Sequence, residues 1–200
     1  TESHLADKLL AFRQQQDGFL VPSFNPISGS GPNGAIVHYR AIAGADRELT
    51  SDDLLLLDSG GHYRDGTTDI TRTIAIGTPP KGAVAAYSHV LQSHIHLAMA
   101  KFPTGTNGKQ LDAIARAPLW AAGLDFAHGT GHGVGHVLSV HEGPASISKR
   151  GDVALEAGMV LSNEPGYYQT GDWGIRIENL IVVTPVKQTG LLEFETITLC

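Results

Sequence analysis

Cysteine is almost absent from this sequence, which has only Cys200 among its 200 residues. A single thiol excludes a disulfide framework within the chain and is compatible with a reducing compartment, so we expect a cytoplasmic protein. No apolar run approaches the roughly 18 residues that a membrane-spanning helix needs, and no signal peptide is recognisable. We therefore expect no membrane partner.

Positive charge is also scarce, with 14 Lys and Arg against 20 Asp and Glu and a net charge of −6. Since no basic run is present, nucleic acid is not an expected partner. The chain is 42% hydrophobic and 17% charged, which is ordinary for a globular domain with a substantial core.

Local patterns predict a mixture of helices and strands. Apolar residues at helical spacing predict helices, and alternating or continuous apolar runs predict strands. The predicted helices cover 2–16, 81–102 and 109–122, and the predicted strands cover 34–39, 54–57, 69–76, 159–164 and 174–183. This order favours an α+β domain with a largely antiparallel sheet.

Two acids follow the most apolar stretch of the chain. Four consecutive leucines, 54–57, end on Asp58, and after a bend the alternating segment DITRTIAI begins with Asp69. We expect the two acids on neighbouring strands. By themselves they favour a simple interpretation, in which Asp58 caps a turn and Asp69 is a solvated strand residue.

A glycine-rich segment, HGTGHGVGHVLSVHEGP, occupies 128–144. Its alternating glycines disfavour a helix, because each costs nearly 1 kcal/mol there. In an extended segment His128, His132 and His136 would share one face. The helical zinc motif H-E-x-x-H is absent from the segment.

Two more acids end or interrupt apolar strands. Glu164 closes the segment MVLSNE, and Glu178 shares a strand face with Arg176 in GIRIENLIVV. Four such carboxylates would repel one another unless cations neutralised them. Together with the imidazole of His132 they form a ligand set for two divalent ions. Oxygen-rich ligands favour Mn²⁺, and Zn²⁺, Co²⁺ or Fe²⁺ could occupy the same place.

Four segments, DSGGHYRDGTTDITRT, HGTGHGVGHVLSVHEGP, NEPGYY and GIRIEN, occur in this order. In that order they resemble the catalytic domain of the Xaa-Pro aminopeptidases (aminopeptidase P), within the pita-bread metallopeptidase family. The resemblance extends over about 32–199 and implies a curved, mostly antiparallel sheet covered by helices. It also implies that residues 1–200 are a single catalytic domain, without the N-terminal domains and C-terminal tail of a full-length homodimer.

The resemblance assigns five metal ligands. Asp69 and Glu178 would bridge both ions, Asp58 would complete one ion, and His132 with Glu164 would complete the other. The implied reaction is hydrolysis of the bond between an N-terminal residue and a following proline, by a hydroxide that bridges the two ions. The implied partners are therefore peptides with proline in the second position.

The resemblance also implies catalytic and substrate-binding residues. Glu164 would handle the proton of the attacking water, and His38 and His141 would contact substrate, move protons and stabilise the tetrahedral intermediate. His128 and Arg176 would also line the substrate site. His136 is extra to this set, and we expect it to have no ligand role.

Other functions on the same fold stay open at this point. Creatinase relatives lack the complete ligand set, which is filled here, and methionine aminopeptidase is a further relative. A prolidase, which takes dipeptides, is harder to exclude. A peptide-binding domain without activity is the alternative from another class, and the complete ligand set argues against it.

Overall fold

The computed structural model describes residues 1–199, and its three α-helices lie where the sequence predicts them. Helix α1 spans Glu2–Gln14, α2 spans Ala83–Ala98 and α3 spans Gly108–Ala121. The second helix ends earlier than predicted because Lys101–Pro103 joins a sheet as an edge strand. Among the described residues, no helix is both long and apolar enough to span a bilayer.

Local capping signals set the helix ends. The Thr1 side chain accepts a hydrogen bond from the His4 amide and begins α1. Asn107 and Gln110 form a reciprocal capping box at the start of α3. Gly123, the residue directly after the predicted range 109–122, follows the last turn of that helix with a φ of +73°, which only glycine adopts readily.

Within residues 1–199 the chain forms fourteen β-strands, β1 to β14 in chain order, and all the pairings between them are antiparallel. Helices beside antiparallel sheets confirm the α+β class. The strands are Phe19–Pro22, Ile27–Ser30, Asp52–Ser59, Gly61–Tyr63, Gly66–Thr67, Ile70–Gly77, Lys101–Pro103, Gly131–His132, Ser146–Ile147, Val160–Asn163, Gly166–Gln169, Trp173–Arg176, Asn179–Pro185 and Leu191–Thr196.

Two sheets bring the predicted acids toward one another. In the first, strands run in the order β2-β3-β6, and Asp58 on β3 lies opposite Thr71 on β6. In the second, the order is β10-β13-β14-β7, and the last residue of β10 pairs with the first of β13. Glu164 directly follows β10 and Glu178 directly precedes β13, so these two acids lie at the same end of the second sheet.

Two apolar clusters support these sheets. One lies beside α3 and the second sheet, and includes Leu111, Leu161 and Ile181, each fully buried. The other lies between α2, β3 and β12 and includes Val90 and Ile175. Both clusters exclude water from behind the strand ends that carry the acids.

The predicted strand over 34–39 is wrong. Gly31–Ala35 forms a 3₁₀ helix, and the structure describes all of residues 36–51 and gives them no helix or strand. Ile36 and the residue after it favour a strand locally, but Gly31 at a φ of +51° and Pro32 turn the chain first.

The extended interpretation of 128–144 is wrong for most of its length. Only Gly131–His132 is a strand, and the chain turns after Gly133, whose carbonyl accepts from the Glu142 amide. His136 consequently leaves the face of His132. The predicted strand over 174–183 is also interrupted, between β12 and β13, at Ile177 and Glu178.

Candidate active site and metal centre

All the side chains that were predicted from the sequence to form the site line one cleft, which has a volume of about 200 Å³. It lies between the two sheets and the glycine-rich segment. The nominated residues that line it are His38, Asp58, Asp69, His128, His132, His141, Glu164, Arg176 and Glu178. The structure therefore brings them together, and their individual roles stay predictions.

The strands deliver the carboxylates into a buried place. Asp58, near the end of β3, is 7% exposed, and Asp69, directly before β6, is 4% exposed. Glu178 is 1% exposed at the break between β12 and β13. The simple interpretation of a turn cap and a solvated acid is therefore wrong, since neither aspartate faces solvent.

Three overlapping groups of side chains offer ligand atoms that lie within 4.8 Å of one another. Two of the groups agree with the ligand division that the resemblance implies. The third includes His141, which was expected to contact substrate. The groups are Asp58, Asp69 and Glu178; His132, Glu164 and Glu178; and Asp69, His132 and His141.

The His132 ring is oriented by its own backbone. Its Nδ1 lies 2.9 Å from the carbonyl oxygen of Gly133, so Nδ1 carries the proton and donates it there. Its Nε2 is 3.4 Å from Asp69 Oδ2 and 3.3 Å from Glu164 Oε1. Burial opposes protonation of His132, but the hydrogen bond to Asp69 and the charge of Glu164 outweigh it and raise the pKa of the ring.

Burial and mutual repulsion raise the pKa values of three of the acids, Glu164, Glu178 and Asp58. Burial, with contributions from Asp69 and Asp58, raises the pKa of Glu164 to about 7, and burial together with the three neighbouring carboxylates raises the pKa of Glu178 well above its usual value. Burial also raises the pKa of Asp58 despite the nearby Arg176. Cations in the cleft would remove this repulsion.

A divalent cation fits these donors. Asp58 Oδ1 is buried and, among residues 1–199, has no hydrogen-bond partner, although such atoms are normally satisfied. Four carboxylates and one imidazole provide the oxygen and nitrogen ligands that divalent ions prefer. A metal ligand would therefore satisfy an atom that the protein leaves unpaired.

Two hydroxyl groups that the sequence analysis missed orient the ligands. Thr71 donates to Glu178 Oε2 at 2.7 Å. Ser162 donates to Glu164 Oε1 at 3.0 Å and accepts the His132 amide at 2.9 Å. Strand alternation could have found the Ser162 contact, since Ser162 lies two residues before Glu164 on the same strand face.

A hydrogen-bonded chain runs from the acids to the wall of the cleft. The Arg176 guanidinium donates to Asp58 Oδ2 at 2.6 Å and to the Tyr168 hydroxyl at 2.7 Å. Burial raises the pKa of Tyr168 to about 12, so this hydroxyl keeps its proton and donates to His128 Nε2 at 2.7 Å. Tyr168 was missed because the β11–β12 hairpin register, which brings it to Arg176, leaves no sequence signal.

A buried ion pair on α3 holds the chain beside His128. The Arg116 guanidinium donates to Asp112 at 2.8 Å and to the His128 carbonyl at 2.7 Å. Asp112 in turn accepts from the Thr130 hydroxyl at 2.6 Å, and the Thr130 carbonyl accepts the Glu164 amide at 2.8 Å. The helix thereby fixes the backbone on which the cleft histidines lie.

We expect His128 to stay neutral through the physiological pH range. Burial, assisted by the charges of Arg176 and Arg116, lowers the pKa of His128 from 6.5 to about 4. Because the folded-state pKa is depressed, the neutral ring contributes stability above pH 6.5, and that contribution is lost as pH falls toward 4. NMR titration of the ring should show no protonation between about pH 8 and pH 5. A titration midpoint near pH 6.5 would contradict this expectation. The His128→Gln variant lacks the ring, so the resonance that disappears in it belongs to His128.

The remaining histidines of the glycine-rich segment separate into two positions. His141 lies against His132, with ring centroids 4.1 Å apart and planes at 89°. His136 is exposed, and its Nε2 lies 3.1 Å from the carbonyl oxygen of Arg64, outside the cleft. This position agrees with the expectation that His136 is no ligand.

Comparison with known sequences identifies the family. The model of metallopeptidase family M24 matches residues 1–185. The chain is 50% identical over 208 residues to a probable Xaa-Pro aminopeptidase P of Laccaria bicolor, covering 100% of this chain and 32% of that relative. The chain thus spans about a third of the length of this curated relative.

Comparison with solved structures agrees. An X-prolyl aminopeptidase from Caenorhabditis elegans, described as a cytosolic enzyme with a di-nuclear active site, matches with a TM-score of 0.95 and 45% identity, covering 100% of this chain and 33% of that one. Prolidase from Pyrococcus furiosus matches with a TM-score of 0.88 and 32% identity, over 100% and 56%. These likenesses confirm the pita-bread fold, and the chain belongs to metallopeptidase family M24.

Proposed function

We propose that this chain is the catalytic domain of a metal-dependent Xaa-Pro aminopeptidase, which removes an N-terminal residue that precedes proline. The single observation that carries the proposal is the convergence of the nominated ligands and cleft histidines on one cavity. The 50% identity to a probable Xaa-Pro aminopeptidase P supports the same activity.

Asp58, Asp69, His132, Glu164 and Glu178 would hold two divalent ions. Asp69, His132 and Glu178 each belong to two of the groups of close ligand atoms, and of these three only the two carboxylates have a pair of oxygens, which suits bridging ligands. Bound ions would supply Lewis acidity, which eases deprotonation of a water molecule and polarises a peptide carbonyl. The oxygen-rich ligand set favours Mn²⁺.

The protein's own groups would orient the peptide and move its protons. Glu164, held by the Ser162 hydroxyl, is placed to accept the proton of the attacking water, because its carboxylate lines the cleft beside the other nominated ligands. His141 and His38 line the same cleft and would stabilise charge on the carbonyl oxygen while shaping the proline pocket. The neutral His128, fixed by Tyr168, would form part of the pocket wall.

Cellular context and assembly extend the proposal. The nematode X-prolyl aminopeptidase is described as cytosolic, which supports a cytoplasmic location for this protein. The resemblance also supports a homodimer for the full-length protein.

A peptide panel tests the activity. Xaa-Pro-Xaa tripeptides, Xaa-Pro dipeptides and Xaa-Ala-Xaa controls should be incubated with the Mn²⁺-loaded protein, and the released N-terminal residue measured. We expect cleavage of the tripeptides and little cleavage of the alanine controls, because the cleft histidines would fit a proline ring.

The panel also separates the alternatives. The chain is 32% identical to the prolidase and 45% identical to the X-prolyl aminopeptidase. The higher identity favours tripeptides as the preferred substrates. Cleavage of dipeptides alone would identify a prolidase. Binding of Mn²⁺ without cleavage of any peptide would indicate a binding domain and refute the proposed activity.

A further inference from the structure

The segment that carries His38 lacks the usual means of holding a side chain in place. Residues 36–51 form no helix or strand, and His38 is exposed at the cleft. Within residues 1–199, no hydrogen bond holds its imidazole ring. The backbone on either side must therefore fix its position, and that backbone needs an anchor outside the segment.

Glu2, on the first turn of α1, is one such anchor, alongside the Arg47–Asp53 ion pair and the hydrogen bond from the Ser3 amide to Asp46. Its side chain is 0% exposed although it is a carboxylate, and burial of a carboxylate is costly unless its oxygens are satisfied. No Lys, Arg or His of residues 1–199 forms an ion pair with it. Instead, its oxygens accept hydrogen bonds from four residues: Ser30, Asn33, Tyr39 and Arg47.

Each oxygen of the Glu2 carboxylate binds residues on one side of His38 in the sequence. Oε1 accepts from the Ser30 amide at 2.6 Å and from the Ser30 hydroxyl at 3.0 Å, both before the histidine. Oε2 accepts from the Tyr39 hydroxyl at 2.8 Å and from the Arg47 amide at 3.1 Å, both after it. Asn33 Nδ2 lies between them, 3.2 Å from Oε1 and 3.1 Å from Oε2.

We propose that Glu2 is a positioning residue, which clamps both flanks of the 36–47 segment and so fixes His38 at the mouth of the cleft. This inference rests on the proposed function for its effect on turnover, because it assigns His38 to the substrate site. The clamp itself is a property of the fold and can be measured without a substrate.

Glu2→Gln is the sharpest test because glutamine keeps the shape and removes one acceptor. If its NH₂ group replaces Oε1, the Ser30 amide loses its partner; if it replaces Oε2, the Arg47 amide does. Either orientation releases one flank of His38. Tyr39→Phe is the second variant, since it removes the hydrogen bond to Glu2 Oε2, together with the one that the Tyr39 hydroxyl accepts from Asn33, and leaves Glu2 intact. Glu48→Gln, which changes an exposed acid directly after residues 36–47, is the matched control.

Hydrogen exchange measures the clamp directly. Glu2→Gln should raise amide exchange over 36–47 about tenfold relative to wild type, while the buried strand over 54–57 stays protected. Tyr39→Phe should give a smaller increase, and Glu48→Gln none. Equal exchange over 36–47 in wild type and in both Glu2→Gln and Tyr39→Phe would overturn the clamp, whatever the activity.

Kinetics measure its consequence for His38. On an Xaa-Pro-Xaa tripeptide, Glu2→Gln should lower kcat/KM about tenfold with bound Mn²⁺ unchanged, because small displacements of a reacting group are costly. In a His38→Ala background the same change should have little further effect. If the effects of Glu2→Gln and His38→Ala on kcat/KM were fully additive, or if Mn²⁺ were lost in proportion to activity, Glu2 would have a general role in folding. Either result would overturn the positioning role. If wild type cleaves no peptide, the proposed function fails, and the exchange result alone decides the clamp.

Discussion

Replacing Asp69 with asparagine is expected to leave the protein with fewer than one bound ion per chain and to lower kcat/KM on an Xaa-Pro-Xaa tripeptide at least 100-fold. Changes to groups that merely support a metal ligand cost about 10–100-fold in affinity or activity, so loss of a bridging ligand should cost no less. Asp69 belongs to two of the three groups of close ligand atoms, and its Oδ2 lies 3.4 Å from His132 Nε2. Elemental analysis after dialysis against Mn²⁺ measures the ion content.

Thermal unfolding gives a second measurement of the same change. Mn²⁺ should raise the Tm of wild type, because an ion that binds only the folded state stabilises it, and this shift should vanish in Asp69→Asn. Asp65→Asn is the matched control, since Asp65 is an exposed acid of the neighbouring hairpin. An Asp69→Asn protein that binds as much Mn²⁺ as wild type would contradict the dinuclear hypothesis.

Replacing His141 with alanine is expected to lower kcat about 100-fold while leaving the Mn²⁺ content unchanged, in keeping with the usual contribution of one acid–base group. The geometry allows a competing role, because His141 offers a ligand atom within 4.8 Å of those of Asp69 and His132. Its exposure favours contact with substrate, since His141 both lines the cleft and reaches solvent. Burial and the neighbouring His132 lower the pKa of His141, which keeps a lone pair available for a proton.

Paired measurements of turnover and metal content separate the two roles of His141. Equal losses of both in His141→Ala would identify a ligand or a fold determinant. His136→Ala is the control from the same loop, because the His136 ring lies outside the cleft and should leave the metal content unchanged. Loss of Mn²⁺ from the control would show that the whole loop, and no single ring, determines binding.

Sequence reasoning was most successful where a signal is local. The helix predicted over 109–122 ends beside Gly123, whose backbone freedom acts within one turn. The four leucines before Asp58 predicted a buried strand because apolar length is itself a local property. It was least successful over 34–39, where Gly31 turns the chain before a strand can form, and over 128–144, where the turn after Gly133 ends a strand of only two residues.

By itself, the sequence determined the types of group that can bind metal, the strands and helices that carry most of them, and the resemblance that links them. The tertiary structure alone decided which side chains hold those groups in place. Thr71 and Glu178 are 107 residues apart, and Arg176 and Asp58 are 118 apart. Partners so distant leave no periodic trace in the chain, because only the packing of one sheet against another brings them within hydrogen-bonding distance.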